Sequence, residues 1–100
     1  MGSYEVAGIE SIVDMLIERG FIKEEVPWNQ DWVGFRRSSL DETLELRIMV
    51  RELPLGIFIS ASSNPFQGKY RMTTYDLVSA EGACSAIQNY LDSVANALNP

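Results

Sequence analysis

Apolar and polar residues alternate most cleanly from Thr43 to Arg51, TLELRIMVR. Leu44, Leu46, Ile48 and Val50 fall on one side, and Thr43, Glu45, Arg47, Met49 and Arg51 on the other. A period of two over nine residues predicts a half-buried strand. Its apolar row belongs to a core, and its polar row faces outward. Shorter alternating runs predict three more strands. Trp32 to Arg37 turns Val33 and Phe35 inward and Trp32, Gly34 and Arg36 outward; Gly34 weakens the run or marks a bulge. Ile57 to Ala61 turns Phe58 and Ser60 outward, and Lys69 to Tyr75 turns Tyr70, Met72 and Thr74 inward. The segments 38–42, 52–56 (ELPLG) and 62–68 (SSNPFQG) carry the turn residues between them.

The period changes at both ends of the chain. Ile9, Ile12, Val13, Leu16 and Ile17 recur at three- and four-residue spacing and predict a helix over 4–20. Gly20 stands where a left-handed residue ends a helix, and Phe21 can then fold back onto Leu16 or Ile17. A second stripe, Ala83, Ile87, Leu91, Val94 and Leu98, predicts a C-terminal helix capped by Ser79. Residues 22–31 read as a connector, because Pro27 stops a helix and biases Val26 toward extended backbone. Trp28 and Trp32 bracket a polar step there, either plugging the end of the core or offering a partner an aromatic anchor.

The order helix, four strands, helix implies an α+β domain spanning residues 1–100. Short loops between consecutive strands favour a four-stranded antiparallel meander. Both terminal helices should cover its apolar face and leave the other face open.

Charge adds a map to this frame. The chain carries a net −6. Residues 1–31 hold seven acids and two bases, residues 32–75 six bases and four acids, and residues 76–100 three acids and no base. The ends are acidic and the middle is basic. Glu10, Asp14 and Glu18 lie at i, i+4, i+8 on the first helix and, with Glu5, Glu24 and Glu25, outline an acidic edge. The open sheet face should display Trp32, Arg36, Glu45, Arg47, Met49, Arg51, Phe58, Lys69, Arg71, Thr73 and Tyr75. Arginines mixed with aromatics suit a protein interface and also suit stacking on single-stranded nucleic acid. A solvated face with cross-strand pairing, in which Glu45 offsets Arg47 or Arg36, is the plainer alternative. Overall acidity disfavours a long polyanion as the ligand.

Catalytic chemistry finds little support. The chain has no histidine, which removes the usual triads and the commonest metal ligand. Cys84 is the only cysteine, so it has no disulfide partner within the chain and is expected to be a buried, inert thiol. Glu24/Glu25 and Asp41/Glu42 are carboxylate pairs in polar connectors, where solvated charge explains them better than acid–base work. No phosphate-cradling glycine loop, no metal-ligand set and no cofactor motif is present. The N-terminus has neither the basic region of a secretory signal nor the residue at position 6 that myristoylation needs, and no apolar run is long enough to span a bilayer.

The expectation is a non-enzymatic, cytoplasmic interaction protein: an inhibitor or adaptor for a larger protein, with a nucleic-acid-binding complex among the candidate targets. In size, charge and missing chemistry it is similar to phage-encoded inhibitors of restriction and CRISPR machinery, the anti-CRISPR proteins included, though no motif is shared. Single-stranded nucleic-acid binding on the sheet is the alternative. A second is a dimeric protein resembling secretion chaperones, which are also small, acidic and built from helices on a sheet, but usually larger.

Overall fold

The computed structural model describes residues 2–24, 32–54, 56–74 and 79–99, with the side chains of 2–8 and of Ala80 outside that description. The fold is α+β. Helix α1 (Gly2–Glu18) leads into five strands, β1 (Ile22–Glu24), β2 (Trp32–Ser38), β3 (Glu45–Leu53), β4 (Gly56–Asn64) and β5 (Met72–Thr73). A single 3-10 turn (Gly68–Tyr70) precedes β5, and α2 (Ala80–Leu98) closes the chain. The sheet is antiparallel, in the order β1-β2-β3-β4-β5.

The meander is therefore as expected, with one strand more. The connector expected over 22–31 begins with β1, which pairs Ile22 with Arg36 and Glu24 with Gly34. Three residues are too few to print a period, so only the pairing exposes this strand. The expectations for Glu25, Val26, Pro27, Trp28, residues 29–31 and Tyr75 lie outside the described residues, as does the side chain of Glu5. The hairpin between β3 and β4 is tighter than the five-residue reversal, because pairing continues to Leu53 opposite Gly56. The fourth expected strand shrinks to Met72–Thr73, since residues 68–70 form the 3-10 turn. The Thr74 hydroxyl then takes a place in the ladder by accepting from the Ile59 N–H at 3.0 Å.

The sheet's apolar face and both helices share one core. Leu46, Ile48 and Val50 of β3 are wholly buried, flanked in register by Phe35 and Val33 on β2 and by Ile57, Ile59 and Ala61 on β4. Ile12 and Leu16 of α1 and the whole expected stripe of α2 join the same cluster. Only residues of one sheet face belong to that cluster, so both helices lie on that side. Ile17 is the exception among the expected α1 positions and is exposed. Its place is taken by Phe21, which the chain reversal carries back over the helix end.

That reversal follows from Gly20. Its φ of +88° places it in the left-handed region, and the Phe21 N–H donates to the Leu16 carbonyl while the Gly20 N–H donates to that of Ile17. At the other helix, the Ser79 hydroxyl accepts from the Gly82 N–H at 3.0 Å, as an N-cap should.

Arg37 is the one charged residue of β2 on the core side, opposite Leu46. It donates to the Arg19 carbonyl at the end of α1 (3.0 Å) and to Asn99 Oδ1 at the end of α2 (3.3 Å). Both helix C-termini thus come together at one end of the sheet, and a guanidinium sits between two negative dipole ends. Tyr90 ties α2 to the sheet margin by donating its hydroxyl to the Tyr70 carbonyl at 2.6 Å.

Two outcomes are expected from these contacts. A Cβ at Gly20 would meet only the Arg37 side chain, at ordinary van der Waals distance. Gly20→Ala should therefore cost about 1–2 kcal/mol through its positive φ alone, read as a lower denaturation midpoint. Burial pushes the Tyr90 phenol up to about 12, with a smaller contribution from Tyr70. A raised folded pKa stabilises below the unfolded value and loses that stabilisation as pH rises through the folded one. Stability should fall between pH about 10 and about 12, and Tyr90→Phe should remove most of that slope in alkaline denaturation.

Candidate functional site

The face of the sheet turned away from the helices is set by the same alternation that makes the core. In register it includes four rows: Trp32, Arg51 and Phe58; then Glu24, Gly34, Met49, Ser60 and Thr73; then Ile22, Arg36, Arg47 and Ser62; then Ser38, Glu45 and Asn64; Leu53 and Gly56 extend it beyond Arg51 and Phe58. Trp32, Arg36, Arg47, Met49, Arg51 and Phe58 all stand on it, as expected. Arg71 is exposed but lies just before β5, outside the ladder. Lys69, expected on this face, is instead in the 3-10 turn with its ammonium 5.0 Å from the Tyr70 ring centroid.

The first row is aromatic at both ends. Trp32 and Phe58 are two strands apart, a backbone separation of about 10 Å. Their ring centroids are nonetheless 5.6 Å apart in an edge-to-face arrangement. The rings lean toward each other across β3, where Arg51 occupies the position between them and its Nε is shut off from solvent.

The third row corrects the basic reading of this face. Arg36 and Arg47 are directly opposite each other, an arrangement that like charges disfavour. Two carboxylates offset it. Glu24 lies 3.4 Å from Arg36 and 3.5 Å from Arg47, and Glu45 lies 3.7 Å and 3.6 Å from the same two. All four groups are partly exposed, so each pair stabilises by no more than about 1 kcal/mol. The larger consequence is that two of the face's three arginines are neutralised in place. Glu24, expected on the acidic edge near α1, is carried to the opposite face by the pairing of β1 with β2.

The acidic row of α1 has the opposite character. Glu10, Asp14 and Glu18 are exposed, and none forms an ion pair among the described residues. Nearby, Arg19 and Asp92 approach only to 3.9 Å.

Asp41 and Cys84 are held by their local surroundings. Asp41 Oδ1 accepts from the hydroxyls of Ser39 (2.7 Å) and Thr43 (2.8 Å) and from the Thr43 N–H (3.2 Å). These bonds, Ser39 first, hold its carboxyl below the usual carboxylate range. A general acid near neutral pH needs the reverse shift. Cys84 is half-buried against the core, and burial raises its thiol pKa, away from the reactive thiolate. Among the described residues no group of three His, Cys, Asp or Glu is placed to hold a metal ion, and no described helix is long and apolar enough to cross a membrane.

Comparisons with protein-family models, with curated proteins and with solved structures found no match to this chain.

The ion-pair cluster carries a direct prediction about nucleic acid. Replacing Glu24 and Glu45 by Gln frees Arg36 and Arg47. Fluorescence anisotropy with a short single-stranded oligonucleotide at low salt should register tighter binding by this double variant than by the wild type. Each arginine released to a phosphate should steepen the log–log salt dependence by about 0.7.

Proposed function

We propose that this is a non-catalytic binding protein, an inhibitor or adaptor that presents the acidic side of α1 to a basic surface on a larger protein. The observation that carries this reading is a contrast in how the molecule treats its charges. On the sheet, Arg36 and Arg47 each have two carboxylates beside them. On α1, three exposed carboxylates stand one turn apart with no ion pair among the described residues. Like charges at this spacing each cost a helix a few tenths of a kcal/mol. A folding requirement alone does not account for such a row. A partner's lysines and arginines would turn it from a liability into steering and specificity.

A basic groove that ordinarily holds nucleic acid is the kind of target such a row would occupy. The single, half-buried thiol of Cys84 suits a reducing cytoplasm. The alternative of nucleic acid on the sheet is weakened by the carboxylates that already neutralise Arg36 and Arg47.

The test is a substitution whose effects on stability and on binding have opposite signs. Asp14→Lys creates Glu10–Lys–Glu18 spacing at i and i+4. It should leave stability unchanged or raise it by about 0.2–0.5 kcal/mol per pair. The same variant should lose, at least tenfold, the capture of a basic partner from a cell extract. Wild-type capture should weaken with added salt as the Debye length shrinks from about 10 Å at 0.1 M to about 3 Å at 1 M. Undiminished capture by a folded Asp14→Lys protein would sink the proposal.

A further inference from the structure

We infer that the helix-free face of the sheet is where two copies of this chain meet. The inference is independent of the acidic α1 row, and it starts from where charge prevents association. A protein of net −6 repels its own copy through most orientations. The sheet face is different. Glu24 and Glu45 balance Arg36 and Arg47, and Arg51 leaves the face close to neutral with both signs interspersed. A surface of one sign cannot be its own partner, whereas a mixed one can pair carboxylate with guanidinium across a two-fold axis.

Geometry points the same way. Both helices lie on the opposite side of the sheet, so sheet-on-sheet contact turns the two α1 acid rows outward. Two sheets packed face to face stand about 10 Å apart. Each acid row lies beyond its own sheet, so the rows are separated by more than the Debye length of about 8 Å at physiological salt.

The relief of the face also suits interdigitation. Met49 projects from β3 beside Ser60 of β4, while Gly34 on its other side is already buried within the chain. A flexible apolar side chain next to a small one forms a knob beside a hollow. Trp32 and Phe58 border this relief at one end, and Met49, Trp32 and Phe58 are each only half-buried within a single chain. Aromatic and methionine side chains with few net charges make the usual centre of a homodimer interface.

Sedimentation equilibrium of the full chain should give twice the 11.2 kDa of one copy. Met49→Glu replaces the apolar knob at the centre by a carboxylate that contact would have to desolvate, and Ser60→Arg fills the hollow. Each should give a folded monomer by circular dichroism and mass. Asp14→Lys should stay dimeric, because its site faces away. A wild-type mass of 11.2 kDa at every concentration up to about 0.1 mM overturns the inference. So does a dimer that persists when either sheet-face variant is folded. If Met49→Glu fails to fold, Ser60→Arg decides, since it removes no apolar group.

Discussion

Burial of Leu46, Ile48 and Val50 of β3 sets the position of the other elements. These side chains lie at the middle of the sheet, with β2 and β4 zipped along both sides and the helices above. Each stabilises by about 1.5–3 kcal/mol relative to exposure. A one-residue slip in register would send Arg47 and Met49 into the core and bring the apolar row to the surface. The outward row is thus not chosen independently. Arg47, Met49 and Arg51 face away from the helices because their neighbours must face toward them.

The two sides of the molecule manage charge differently. Strand pairing puts Arg36 opposite Arg47, and carboxylates from β1 and β3 close around both. The α1 side keeps Glu10, Asp14 and Glu18 in solvent without such compensation among the described residues. A near-neutral face with aromatic relief and a negatively charged helix, on opposite sides of one small domain, can engage two neighbours without competition. That separation links the proposed partner surface to the proposed self-contact.

Cations and caps hold the ends. Arg37 reaches from β2 to both helix C-termini and satisfies groups that two converging helix ends would otherwise present to each other. The turn before β3 is organised by Asp41, whose carboxylate collects three donors from Ser39 and Thr43. Both devices act at the end of the sheet where the Leu40 N–H also meets the Leu98 carbonyl.

Much of this was legible in the sequence by itself. The period of two located the core row of β3, the 3.6-residue stripe of α2 named five buried residues, and Gly20 and Ser79 marked helix ends by local geometry. Those signals are local, because the chain's own periodicity and φ preferences create them. In the third row of the open face the part played by Glu45 was legible as an alternative, but that of Glu24 was not, since an ion pair between Glu24 and Arg47 depends on two strand registers at once. Strand β1 was too short to show a period, and its assignment to a connector put Glu24 on the wrong side. Arg37 shares the face of Val33 and Phe35, so alternation held a hint of its direction. That it bridges two helix ends depends on residues 18 and 62 positions away in the chain. The sequence determined the core rows of β3 and α2 and the acidic row of α1. Only the tertiary structure decided that Arg36 and Arg47 are neutralised, because cross-strand pairing places Glu24 and Glu45 beside them.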